Sequence, residues 1–225
     1  MEHHANSRKI IRNINRLPIN VIQAFSLCYT GIVLDQLGKK GCMESQIKPI
    51  KEGMRVCGSA VTCEGPDLSL RRMGIDLAKD GDVLVVAAGG DTEKACFGDA
   101  TALVMQHKGM SGIVIDGATR DVARLRQMNF PTFARSATPR NYTYPADSLV
   151  GGVNVPVICA GVLVRPGDII LGDDDGVIVI SFDDAVRIAP KIVDIMKKKD
   201  AEHRGRIGKP YNQDQQLKDR GYVFE

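Results

Sequence analysis

The pattern of apolar and polar positions changes period repeatedly along the chain, and each change marks an element. From Pro18 to Gly38, "PINVIQAFSLCYTGIVLDQLG" has apolar residues at helical spacing and predicts two consecutive helices, divided at Gly31 and stopped by Gly38. "MRVCGSAVTCEG" mixes small and β-branched residues and predicts a strand. "DLSLRRMGIDLAKDGD" then predicts a helix with Asp67 as its N-cap. The continuous apolar run "DVLVVAAGG" suits a strand buried on both faces and ended by its paired glycines. The alternation continues as "DATALVMQHKG" (helix), "SGIVIDG" (buried strand), "RDVARLRQMN" (helix) and "FPTFARS" (short strand). This is the order expected of a layered βαβ architecture with right-handed crossovers.

The period shortens after Val155. "VPVICAGVLVRPGDIILGDDDGVIVI" reads as short strands separated by the turns "RPGD" and "DDDG", an antiparallel meander. From Asp183 the spacing is helical again but charged, and from Gly208 to Glu225 the chain is polar. A long helix leading to a projecting tail follows, of a kind that docks on a neighbouring subunit. Neither a repeat nor a Pro/Gly/Ser-rich linker divides the chain, so residues 1–225 are expected to form one domain with a carboxyl-terminal extension over about 183–225.

Composition narrows the function classes. Thirty Lys and Arg against 27 Asp and Glu give a net charge of +3, and with five Tyr, six Phe and no Trp this supplies neither a strong basic surface nor many stacking platforms. No nucleic-acid partner is expected. The six cysteines contain no CxxC pair and sit among apolar or small neighbours, which predicts reduced, buried thiols. With no signal-peptide core and no run of about 18 apolar residues, a cytoplasmic protein with no membrane partner is expected. His3 and His4 read as part of a solvated tail.

In βαβ folds ligands favour the loops at the carboxyl ends of parallel strands, where this chain carries Gly89, Gly90, Gly117, Arg120 and Asp121. Asp99 precedes one predicted helix and Asp121 another, so each carboxylate could simply be an N-cap. Two such carboxylates and a guanidinium at one sheet edge also make a site. Carboxylates hold Mg²⁺ or Mn²⁺, a guanidinium binds a carboxylate or developing enolate in a fork, and the helix start at Ala100 offers a second anion seat. A dianionic keto acid fits that set. Other motifs take plainer readings. "GDDDG" lacks the spaced ligands of a calcium loop and reads as a hairpin turn. Lys48 and Lys108 lack the apolar setting of a Schiff-base lysine. The Gly89-Gly90 pair opens no GxGxxG fingerprint and instead lets backbone approach a ligand.

Asp99, a twenty-residue spacer and Arg120-Asp121 also match the D-x20-R-D motif of the divalent-metal-dependent pyruvate aldolases. The chain therefore resembles the 4-hydroxy-4-methyl-2-oxoglutarate / 4-carboxy-4-hydroxy-2-oxoadipate aldolases, part of a larger family that includes the regulator of ribonuclease activity A. The likeness runs through "RNINR", "KPIKEGMRVCGSAVT", "GDVLVVAAGGDTEKACFGD", "GIVIDGATRD", "VNVPVICAGVLVRPGDIILGDDDGVIVI" and "LKDRGYVFE". It implies a layered β/β/α, swivelling-domain-like sandwich with a central mixed sheet and a helical carboxyl-terminal extension. It also implies a Mg²⁺ or Mn²⁺ cofactor, with Asp121 nearest the metal, Asp99 holding water on it, and Arg120 binding pyruvate and its enolate. The amides of Ala100, Thr101, Ala102 and Leu103 would receive the substrate carboxylate. Glu202 resembles the acidic residue that reaches the metal's water shell from an adjacent subunit, implying a homotrimer or homohexamer. The implied reaction is cleavage of a 4-hydroxy-2-oxo acid to pyruvate and a second keto acid, with oxaloacetate decarboxylation beside it. The readings left beside it are a non-catalytic regulator-like binding protein and a lyase for another keto acid. "DATAL" in place of the aldolases' frequent "DLLAT", and the unusual "SATPRNYTYP", leave the substrate open.

Overall fold

The computed structural model describes residues 8–142 and 151–224; His3, His4 and the end of "SATPRNYTYP" lie outside them. In chain order the elements are α1 (Ile19–Ser26), α2 (Thr30–Gln36), β1 (Lys48–Pro49), β2 (Val56–Glu64), α3 (Leu68–Leu77), β3 (Val83–Phe97), α4 (Asp99–His107), β4 (Gly112–Thr119), α5 (Val122–Met128) and β5 (Thr132–Ala137). There follow β6 (Val157–Cys159), β7 (Val162–Val164), β8 (Ile169–Asp173), β9 (Gly176–Ile180), α6 (Phe182–Arg206) and α7 (Asp214–Asp219).

Seven strands form one mixed sheet in the order β1-β5-β4-β3-β2-β8-β9. β2 to β5 are mutually parallel and joined through α3, α4 and α5, while β1, β8 and β9 pair antiparallel at the edges. All eight residues of β4 are buried, as a central parallel strand covered on both faces requires. On one face Val61, Leu84, Val86, Ile113 and Ile115 pack against Ile75 of α3, Ala102 and Met105 of α4 and Leu125 of α5. On the other, Val83, Val85, Val114 and Phe133 meet Val157, Cys159 and Val164 of the separate β6–β7 hairpin. Sheet, small sheet and helices thus stack as β/β/α, as expected.

Several local expectations change. The first two helices part at Leu27 to Tyr29, and Gly31 lies inside α2; Gly38, at φ 63°, does mark the stop. Asp67 caps α3, accepting from Ser69 N at 2.8 Å and Leu70 N at 3.0 Å. The meander is two separate hairpins, because β8 leaves β7 to pair with β2. The "DDDG" turn joins β8 to β9, and Asp173 is consumed structurally: it accepts from Thr30 N, Thr30 Oγ1 and Asp175 N at 2.9, 2.8 and 3.1 Å.

Two compact units divide after Val193, within α6. In the first, Ala185, Ile188 and Ile192 form the buried stripe of α6. In the second, α7 carries no buried residue, and rings and cations pair locally, as in Lys218 over Phe224 at 5.5 Å. Among the described residues no helix is long and apolar enough to cross a membrane.

Candidate active site

A slip in register between β3 and β4 brings the two halves of the Asp99 and Arg120-Asp121 constellation together. The strands run in step from Val83↔Gly112 to Val86↔Ile115, after which Asp91 faces Gly117 and Phe97 faces Thr119. The surplus length of β3 bulges around Gly89 and Gly90, whose φ values of 73° and 78° favour glycine. The paired glycines therefore do not end the strand; they let it leave register and continue. At its end Phe97 O accepts from Arg120 N (2.9 Å) and Thr119 Oγ1 (3.2 Å), pinning Gly98-Asp99 beside Arg120-Asp121.

Neither carboxylate is a cap. Gly98 holds the N-cap position of α4, and Asp99 is the first helical residue. The Asp99 carboxylate, 13% exposed, instead pairs with Arg124 Nη1 at 2.8 Å. Asp121 does stand at the N-cap position of α5, in left-handed backbone (φ 58°, ψ 32°), yet its side chain makes no capping hydrogen bond. Left-handed backbone costs a non-glycine residue on the order of 1 kcal/mol, and Asp tolerates it better than most. The conformation leaves the Asp121 carboxylate at the surface, with Oδ2 3.3 Å from Arg120 Nε.

Two further residues complete the arrangement, and the sequence reading passed over both. A Cβ on Gly98 would stand 2.3 Å from Asp121 Oδ2 and 3.2 Å from Arg120 Cγ. The Gly98 backbone is extended, so space rather than conformation excludes a side chain. Arg124, three residues past Asp121 and on the next helical turn, holds Asp99. Its own side chain is 70% exposed, so the pair is well screened and yields to a ligand at little cost. The available signals were the "FGD" that brings a glycine against the motif and the i, i+3 spacing from Asp121.

At the helix start the four expected amides are not equally open. Ala102 N already donates to Gly98 O at 3.2 Å, and Leu103 lies one residue further into the helical ladder. The open first-turn amides are those of Asp99, Ala100 and Thr101. A cleft of about 270 Å³ is lined by Arg120, Asp121, Val122, Ala137, Thr138 and Pro139. Larger clefts of about 350 and 370 Å³ lie elsewhere and contain none of these residues, so size does not mark this site; the charged constellation does.

Among the described residues no group of three or more His, Cys, Asp and Glu is placed to hold an ion. Of the two aspartates of hard oxygens, Asp121 lines the cleft with its carboxylate free of capping, and Asp99 is held by Arg124 outside the lining. Such oxygens suit Mg²⁺ or Mn²⁺, which keep several waters and take one or two carboxylates, and not a closed zinc site. Glu202 is exposed on α6, in the second unit. Lys48 Nζ and Lys108 Nζ donate to the carbonyls of Asp175 and Asp76, both at 2.7 Å, away from any nucleophile's role. The six cysteines are free; Cys42 is exposed, and burial pushes Cys57 and Cys63 up to about 12 and Cys96 to about 11.

Known proteins resemble this chain in sequence and in fold. A Halalkalibacterium halodurans protein named "Putative 4-hydroxy-4-methyl-2-oxoglutarate aldolase" is 34% identical over 196 residues, 86% of this chain and 90% of its own. The 4-hydroxy-4-methyl-2-oxoglutarate aldolase of Thermus thermophilus is 35% identical over 114 residues, 51% of this chain and 68% of its own. The crystal structure of Streptomyces coelicolor RraAS2, described as an unusual member of the RNase ES inhibitor RraA protein family, superposes with a TM-score of 0.73 at 27% identity. It covers 85% of this chain and 99% of that one. Residues 28–179, which carry nearly all of the central sheet together with Asp99, Arg120 and Asp121, match the family described as RraA-like, Aldolase/RraA, and to that family this chain belongs.

Proposed function

We propose that the chain is a Mg²⁺- or Mn²⁺-dependent aldolase. It cleaves 4-hydroxy-4-methyl-2-oxoglutarate or 4-carboxy-4-hydroxy-2-oxoadipate to pyruvate and a second keto acid, and decarboxylates oxaloacetate through the same enolate. The observation that carries the reading is that Asp99 and Asp121 both stand at helix starts and neither caps. Each instead meets an arginine, and the Arg120-Asp121 pair lines a cleft.

Asp121 would hold the ion, with Asp99 reaching it through water and Glu202 of the partner subunit adding negative charge in a homotrimer or homohexamer. When bound, the ion supplies Lewis-acid polarisation of the substrate's 2-keto group. The chain's own residues do the rest. The open amides at the start of α4 seat the substrate's 1-carboxylate, helped by the positive end of the helix. Asp99, steadied by Arg124, receives the 4-hydroxyl proton by way of water as the C3–C4 bond breaks. The Arg120 guanidinium faces the oxygen that gains charge in the pyruvate enolate and stabilises it without reorganising. Decarboxylation of oxaloacetate releases electrons into the same position, so one arginine serves both reactions.

The test is pyruvate release coupled to lactate dehydrogenase, with and without Mg²⁺, over a panel of 4-hydroxy-2-oxo acids and oxaloacetate, in wild type and Asp121→Ala. Metal-dependent turnover lost in the folded variant supports the proposal. Activity of Asp121→Ala within a few-fold of wild type at saturating Mg²⁺ refutes it. The likeness to the Streptomyces protein favours a second reading, a binding protein without catalysis. Absence of pyruvate release from every acid of the panel would turn the choice to it.

A further inference from the structure

The cleft at Asp121 does not end there. Val122 and Ala137, which line it, also line a second hollow of about 220 Å³ between α5 and the β1–β5 edge of the sheet. The charged residues of this hollow are Lys48, Arg126 and Arg135, and no acidic residue lines it. The three cations are not equivalent. Arg135, its side chain 9% exposed, is already answered by Asp116 and Glu44. Lys48 Nζ is held by the backbone carbonyls of Asp174 and Asp175. Arg126 Nε donates to Ile50 O at 2.6 Å, which fixes the guanidinium and leaves its two terminal nitrogens without a hydrogen bond among the described residues. A guanidinium anchored in this way is preorganised for a bidentate carboxylate.

Spacing ties this group to the reacting centre. Arg126 lies four residues beyond Val122, about 6 Å along the helix axis. A five-carbon 2-oxo acid is of comparable length from one carboxylate to the other. We infer that Arg126, with Lys48 beside it, seats the distal carboxylate of a 2-oxo dicarboxylic acid, the end that departs on cleavage. It thereby selects dicarboxylic over monocarboxylic acids. The inference rests on the reading of the Arg120-Asp121 cleft as a keto-acid site.

Calorimetric titration with 2-oxoglutarate and with 2-oxopentanoate, which has the same chain without the distal carboxylate, isolates the effect. Both are titrated in Mg²⁺ into wild type, Arg126→Gln, Arg126→Lys and Lys48→Gln. Wild type is expected to prefer 2-oxoglutarate by about tenfold, the scale of one charge-assisted pair discounted for exposure. Arg126→Gln should remove most of that preference by weakening 2-oxoglutarate alone, Arg126→Lys should keep part of it, and Lys48→Gln should lower it less. The preference should shrink at about 1 M salt, where the screening length is about 3 Å. Equal affinity of wild type for the two acids, no binding of either, or an Arg126→Gln loss shared by both acids would overturn the inference. Pyruvate release measured on the same preparations separates it from the reaction itself. A preference without turnover leaves the carboxylate seat standing and sinks the aldolase. Turnover without preference does the reverse.

Discussion

Gly98→Ala is the sharpest perturbation of the site, because it separates fold from function. The backbone at Gly98 is extended, with φ −163° and ψ −175°, so alanine meets no conformational penalty there. Removing a glycine's freedom from the unfolded chain would by itself stabilise the protein by about 0.4–1 kcal/mol. The added Cβ, however, would stand 2.3 Å from Asp121 Oδ2, about 1 Å short of ordinary contact. The Asp121 side chain is 33% exposed, so it can swing away instead of forcing the sheet apart. Net stability should therefore change by no more than about 1 kcal/mol, and the carboxylate should move by about 1 Å. A displacement of that size costs up to about 100-fold in rate. Urea unfolding, Mg²⁺ titration and coupled pyruvate release on one preparation measure all three quantities. Unchanged stability with a 10- to 100-fold fall in kcat/KM and weaker Mg²⁺ dependence is the expected result. If kcat/KM stays within threefold of wild type, the carboxylate at Gly98 is not part of the site.

Arg120→Lys keeps the charge and loses the fork, so aldol cleavage and oxaloacetate decarboxylation should fall together by about 100-fold; a fall in only one would make Arg120 a reader of some substrate group. Arg124→Ala should lower kcat about tenfold through the loosened Asp99, and leave the urea midpoint nearly unchanged because the pair is exposed; normal turnover would remove Asp99's positioning from the account. The buried thiols predict an alkaline limb in stability: Cys63 and Cys96 stay protonated in the fold up to about 12 and 11, whereas the unfolded chain loses those protons near 9.0. Stability they contribute is fully present below pH 9 and is lost as pH rises from there, by at most about 1.4 kcal/mol per pH unit per thiol; melts of Cys96→Ala should show a shallower decline above pH 9. At pH 8, iodoacetamide should label Cys42 in the native state and leave Cys63 and Cys96 intact, as peptide mass spectrometry can read.

Much of the fold was legible because period and burial are local. The apolar run of β4 could only be a covered strand, and Asp67 before α3 had the chemistry of a cap and makes both of its hydrogen bonds. Two of the differences turn on glycines that do not end an element. Gly31 sits in α2 because the break is made at Leu27 to Tyr29, where Cys28 N turns back to Phe25 O and Thr30 donates to Asp173 at the end of β8. Gly89 and Gly90 bend a strand that continues, because β3 is held on its far side by pairing with Gly117, Ala118 and Thr119. Long-range partners decided these positions, and no window of the sequence contains them.

The site follows the same division. Asp99, Arg120 and Asp121 could be named from the motif, but whether each carboxylate caps its helix depended on backbone geometry that spacing does not encode. The left-handed turn at Asp121 and the N-cap role of Gly98 are what free both carboxylates. The twenty-residue spacer itself has a plain physical meaning: the chain leaves the site along α4, turns over Lys108 to Ser111, and returns along β4. What must be kept is the pairing of Phe97 with Thr119, since strand side chains alternate faces and a one-residue slip would turn each β4 side chain to the opposite face of the sheet. The motif's length thus records the register of two strands, and the amide of Arg120 bonded to Phe97 O is the contact that sets Gly98-Asp99 beside Arg120-Asp121.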